Sequence, residues 1–188
     1  FYKRILVAFI LINILLLAAC QEAVPGITAE DKVKVTVSIL PQAYFVERIG
    51  ADAVTINVMV GPGEEPHTYE PKPEQMKGLS RSELFFMIGT EYEDAWLPRF
   101  KDVNPNLVFV DNAAGIERIP LTAPHHHGDE PTDEALHTDE DLLDPHVWLS
   151  PNNGKIIANN ILNALIEQEP GRAEEFQANY NYLIADIN

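Results

Sequence analysis

The chain has 188 residues, 46% of them hydrophobic, which suffices for one domain core of ordinary size. Its 13 Lys and Arg face 29 Asp and Glu, a formal net charge of −16 at pH 7. That balance excludes a nucleic-acid partner, which needs a basic surface to displace counterions, and it favours cations near the surface.

The chain opens with Lys3 and Arg4, followed by a run from Ile5 to Ala19 that is apolar except for Asn13. A run this short behind a basic front reads as a secretory signal peptide over 1–19, since a spanning helix needs about 20 apolar residues. The single cysteine, Cys20, follows directly. Leu17-Ala18-Ala19-Cys20 resembles the bacterial lipoprotein signal, which implies that Cys20 is lipidated and becomes the mature N-terminus outside the cytoplasm. Residues 20–31, with Pro25 and Gly26, suit a tether. With no other cysteine, no intrachain disulfide is available and the fold rests on its apolar core.

Val33 to Leu40 is rich in β-branched residues and predicts a first strand ending at Pro41. Tyr44, Phe45, Val46 and Ile49 recur at near-helical spacing, so a helix is predicted over 42–49, stopped by Gly50. Ala53 to Val60 is a second strand, closed by Gly61-Pro62-Gly63. A short helix over 74–80 and strands over 84–88 and 107–110 follow. This alternation implies βαβ units: an α/β fold with a mostly parallel four-stranded sheet flanked by helices. Ligands in such folds bind beyond the carboxyl ends of the strands, so the segment from Gly61 to Pro73 is where chemistry is expected.

The stretch from Asp111 to Asp144 is acidic and poor in apolar residues, and reads as a loop, with its His-rich part over 121–143. From Ser150 to Gln168 a helical pattern returns, with Ile156, Ile157, Ile161, Ala164 and Leu165 on one face, interrupted only by Asn160. Pro151 suits the first helical position. Pro170-Gly171 breaks the pattern, and a further helix is expected from Arg172 onward. Because the chain begins at Phe1 and still reads as helix at Asn188, it is expected to be part of a longer protein.

Six histidines are present. His125, His126, His127 and His137 lie in the acidic loop, where imidazoles and carboxylates suit weak capture of a metal ion, or simply a solvated insertion. His67 and His146 differ from them. Each follows a proline (Pro66, Pro145), has a second proline four or five residues on (Pro71, Pro151), and lies near an aromatic residue. Prolines restrict the backbone and help fix where an imidazole points, which a metal ligand needs. A lone loop histidine is more often just an exposed polar residue.

Three motifs change that balance: Gly61-Pro62-Gly63-Glu64-Glu65-Pro66-His67-Thr68-Tyr69-Glu70-Pro71, Ile88-Gly89-Thr90-Glu91-Tyr92-Glu93-Asp94-Ala95-Trp96, and Asp144-Pro145-His146-Val147-Trp148-Leu149-Ser150-Pro151. In this order, with a His-rich acidic loop before the third, they resemble the substrate-binding lipoproteins of bacterial zinc and manganese ABC importers. The resemblance covers nearly everything after Cys20. It implies two α/β lobes joined by one long helix, with the metal ion in the cleft between them. Residues 32–168 would form the N-terminal lobe, and 169–188 would begin the linking helix. His67 and His146 match the two histidines of the N-terminal lobe. A His or Glu and an acidic residue of the C-terminal lobe would complete the site, and these have no counterpart here. The implied cargo is Zn2+, with Mn2+ as the alternative. The His-rich loop leans toward zinc, because such loops more often accompany zinc members of the family. The implied partners are an ABC importer permease, the metal ion and a lipid anchor, with the protein acting as a monomer and not as an enzyme.

Glu64 and Glu65, Glu65 foremost, are candidates to orient His67 or to offer a spare oxygen, and otherwise read as exposed loop acids. Trp96 and Trp148 read as packing residues, and Tyr69 as a possible shield for the metal. Two rival readings are a metal-dependent hydrolase and a surface adhesin with a structural metal. The hydrolase would need three ligands, an activated water and a general base, and no HExxH is present.

Overall fold

A computed structural model describes Tyr2 and residues 32–120, 143–144 and 146–188. Apart from Tyr2, the predicted signal segment and tether lie outside the described residues, as do Cys20, His125, His126, His127 and His137.

Four strands form one parallel sheet in the order β2-β1-β3-β4: β1 Val33–Ile39, β2 Val54–Val60, β3 Leu84–Met87 and β4 Val108–Asp111. Val33 is in register with Val54, Val35 with Leu84, and Leu84 with Val108. The central β1 alternates apolar and polar residues yet is buried along almost its whole length, because its buried hydroxyls find partners: Thr36 with the Ser82 hydroxyl at 2.7 Å and Ser38 with the Tyr92 hydroxyl at 2.6 Å.

Five α-helices flank the sheet among the described residues: α1 Leu40–Gly50, α2 Pro73–Leu79, α3 Glu91–Val103, α4 Pro151–Gln168 and α5 Ala173–Ile187. The α/β architecture is the one expected. α1 packs on β1 and β2 and against α4 and α5, while α2 packs on β2 and β1 and against α3. Val35, Val37, Phe85, Phe86, Ile157, Ile161 and Leu165 are fully buried between these layers. Each such side chain contributes about 1.5–3 kcal/mol of burial.

Two elements differ from the sequence expectation. α1 starts at Leu40, two residues early, because Pro41 belongs in the first turn, where a missing N–H costs nothing. Gln42 completes that turn by accepting the Ile39 N–H at 3.1 Å. α3 was not predicted at all. Pro98 lies inside it and Glu91, Glu93 and Asp94 crowd its first turn, so its apolar signal is thin. Buried Tyr92 and Phe100 hold it on both sides of Pro98.

Asn160, the interruption in the apolar face of α4, has a structural task. Its Nδ2 donates to the carbonyl oxygens of Asn112 and Ala114, both at 3.0 Å, and so ties α4 to the chain leaving β4. α5 is held by buried Phe176 and Leu183, by Asn179 Nδ2 donating to the Ile49 carbonyl at 3.0 Å, and by an Arg48–Asp186 ion pair at 2.5 Å.

Candidate metal centre

The chain leaves β2 at Val60 into the loop that carries His67, and leaves β3 at Met87 through a turn into α3. Beyond β4 it pairs Pro120 with Leu143 in an antiparallel bridge, and the Asp144 N–H donates to the Ile119 carbonyl at 2.8 Å. His146 follows, then a short 3-10 turn at Val147–Leu149 and α4. Both histidine segments therefore stem from the carboxyl edge of the parallel sheet, where such folds place ligands.

The loop after β2 is closed by Glu64. Its Oε2 accepts the Gly61 N–H at 2.8 Å, and its Oε1 pairs with Lys72 Nζ at the far end of the loop. The Lys72 ammonium, then the Gly61 N–H, hold this carboxyl below the usual carboxylate range. Gly63 supplies the positive φ of +78° that the turn requires. Tyr69 is buried edge-on against Tyr92, with ring centroids 5.5 Å apart, so it packs the loop onto the core.

These supports bring His67 and His146 together, with ring centroids 6.1 Å apart and planes at 61°. Their side chains remain 39% and 43% exposed, so both rings are open to an incoming ion. His146 Nδ1 lies 2.7 Å from Asp144 Oδ1, and the same oxygen accepts the His146 backbone N–H at 2.9 Å. That backbone bond, then the ring, holds the Asp144 carboxyl below its ordinary value. Trp148 packs beside this ring at 5.2 Å.

His67 Nδ1 lies 2.6 Å from Glu91 Oε2. Burial would raise the Glu91 carboxyl, but its own backbone N–H and the His67 ring outweigh burial and lower it. An ionised carboxylate only accepts, so in each pair the hydrogen-bond network assigns the ring proton to Nδ1. In a neutral imidazole the lone pair then falls on Nε2, the form in which the ring binds metal. Two imidazoles with carboxylates behind them make a donor set suited to zinc, copper or nickel.

Glu65, expected to orient His67, accepts its backbone N–H at 3.2 Å and lies 3.8 Å from Nε2, while the ring itself is held by Glu91. Glu91 escaped the sequence reading because α3 did. A helix starting there would have placed a carboxylate at the same sheet edge as both histidines. Glu64, the other candidate, closes the loop. Among the described residues no group of three or more His, Cys, Asp or Glu is arranged to hold a metal ion.

The turn beneath Glu91 is buttressed. Glu93 is buried and accepts the N–H groups of Ile88 and Gly89 at 2.9 and 2.7 Å. Burial pushes its carboxyl up, against the pull of these donors and of Ser38. Arg118 donates to the carbonyls of Ile88 and Gly89. Gly89 has φ +88°, a backbone conformation that favours glycine, and a Cβ there would push the Arg118 guanidinium aside.

The ZnuA family model, described as zinc-uptake complex component A periplasmic, matches residues 35–188. The manganese ABC transporter substrate-binding lipoprotein PsaA of Streptococcus pneumoniae is 30% identical over 169 residues, 87% of this chain and 50% of the relative. The manganese-binding lipoprotein MntA of Halalkalibacterium halodurans is 30% identical over 188 residues, 98% of this chain and 57% of the relative. The crystal structure of ZnuA superposes with a TM-score of 0.71 and 36% identity, covering 84% of this chain and 55% of that one. The chain thus spans about half the length of the curated relatives it matches. With a family match over most of its length and the same fold as ZnuA, the chain belongs to the ZnuA family of metal-binding ABC-transporter substrate-binding proteins.

Proposed function

We propose that the chain is the N-terminal lobe of an extracytoplasmic solute-binding lipoprotein that captures a zinc ion and delivers it to an ABC importer. The observation that carries this is the convergence of His67 and His146 at 6.1 Å, each with a carboxylate behind Nδ1. Four-coordinate zinc takes nitrogen ligands at about 2.0–2.1 Å and needs two more donors. In this reading a second lobe supplies them across a cleft, and α5 begins the helix leading to it. Ligands drawn from two lobes allow release when the transporter parts them. Cys20 is the lipid attachment point, and the protein binds and hands over its cargo without turning it over.

Zinc is favoured by the two imidazoles and by the histidines at 125–127 and 137. Manganese is the second reading. Relatives named for manganese favour it, and an oxygen-rich pair of ligands from the second lobe would produce it. Competition with a chromophoric chelator on the complete protein tests both readings. Zinc is expected to bind more tightly than manganese, and His67→Ala and His146→Ala are each expected to weaken zinc by more than the 10–100-fold typical of a lost outer-shell partner. Zinc affinity unchanged by either substitution would sink the site, and tighter manganese binding would replace zinc as the cargo.

A further inference from the structure

The two histidines are oriented by different means. Asp144 precedes His146 by two residues and holds both its backbone N–H and its ring on one oxygen, so that pairing is local to a turn. For His67 the tasks are divided. Glu65 takes the backbone N–H, and the ring reaches 24 residues along the chain to Glu91, on another element.

We propose that Glu91 is a positioning residue for the metal: its carboxylate keeps the His67 ring proton on Nδ1 and turns Nε2 toward the ion. The inference rests on the reading of His67 as a metal ligand. At neutral pH a glutamate carboxylate has no proton to give, so the 2.6 Å contact requires an N–H on Nδ1. The lone pair then falls on Nε2. Nδ1 and Nε2 lie on opposite sides of the ring, so an oxygen on Nδ1 is turned away from an ion held by Nε2. Glu91 orients the ring and is not itself a ligand.

The position of Glu91 suits this role. It is the first residue of a 13-residue helix, where unpaired N–H groups favour a carboxylate. The turn before it is fixed by Glu93 on the N–H groups of Ile88 and Gly89, and by Arg118 on their carbonyls. Glu91 therefore extends from a rigid base and transmits the position of α3 to the loop after β2. The side chain is 56% exposed, so replacing it leaves the core untouched.

Long-range 1H–15N correlation spectra of the metal-free complete protein, with zinc competition on the same samples, test this. In the unaltered protein His67 should show the Nδ1–H tautomer. In Glu91→Gln the amide can donate as well as accept, so a substantial Nε2–H population should appear and the zinc Kd should rise about 10–100-fold. Glu91→Ala should move both readouts the same way. A weakened zinc affinity with His67 still on Nδ1–H would overturn the positioning role, as would no change in either readout. His67→Ala separates the underlying reading: if it leaves zinc affinity unchanged, His67 is not a ligand, and the role of Glu91 falls with it. If His67→Ala weakens zinc while Glu91→Gln changes nothing, only the role of Glu91 falls.

Discussion

The side-chain amide of Asn160 donates to the carbonyl oxygen of Asn112 at 3.0 Å, fastening the middle of α4 to the chain just beyond β4. Asn112 is fully buried, so its carbonyl has little access to water once this donor is removed. Asn160→Ala should cost about 1–3 kcal/mol, the penalty for an unpaired buried acceptor. Asn160→Asp should cost more, because a carboxylate sets like charge against two carbonyl oxygens. Urea unfolding of the three proteins checks the order, and equal stability of Asn160→Ala and the unaltered protein would remove the anchoring role.

Glu64 joins the two ends of the His67 loop through the Gly61 N–H and Lys72. Glu64→Ala should leave the sheet and its helices intact while the loop loses its closure. The expected result is an unchanged far-UV circular dichroism spectrum with a zinc Kd raised about tenfold, the lower end of the range for outer-shell partners. Lys72→Ala should act in the same direction, and the double substitution should add less than the sum of the two, because both remove one contact.

Much of this fold was legible because apolar periodicity and punctuation agreed. The β-branched run of β1, Gly50 and the Pro151 start of α4 each follow from local chemistry. Gly50 is compelled as well, since a Cβ there would lie 2.4 Å from Val54 Cγ1. What escaped depended on contacts distant in sequence. α3 is defined by burial of Tyr92 and Phe100 against neighbouring elements, and no local pattern outweighs Pro98. The site was half legible for the same reason. Pro66-His67 and Pro145-His146 are local signals, whereas the Glu91 contact exists only once β3 and α3 are folded beside the loop after β2.

Glu93 gives a pH prediction. Its buried carboxyl is raised from its ordinary value of 4.5, chiefly by burial. The folded state therefore holds this proton more tightly than the unfolded chain does, and in that window stability falls as pH rises. The stabilising contribution is fully present below 4.5 and is lost as pH climbs through the raised folded value. Glu93→Gln keeps an oxygen for the Ile88 and Gly89 N–H groups but does not titrate. Relative to the unaltered protein, Glu93→Gln should therefore gain stability as pH is raised from about 4.5 toward neutrality. Urea unfolding of both proteins across that range measures the difference, and a difference that stays constant with pH would contradict the raised carboxyl.

Metal removal separates a transport site from a structural one. The fully buried core residues Val35, Val37, Phe85, Phe86, Ile157 and Ile161 join sheet to helices without involving His67 or His146, whose rings lie exposed at the sheet edge. Nothing in that packing depends on a bound ion. Treatment with a chelator should leave circular dichroism in the far and near ultraviolet essentially unchanged. Bound zinc should then raise the unfolding free energy only by mass action, about 2.7 kcal/mol at a free concentration 100 times Kd. Collapse of the spectrum on chelation would instead mark the metal as structural, as in a surface adhesin, because a zinc-dependent fold has no stable apo state.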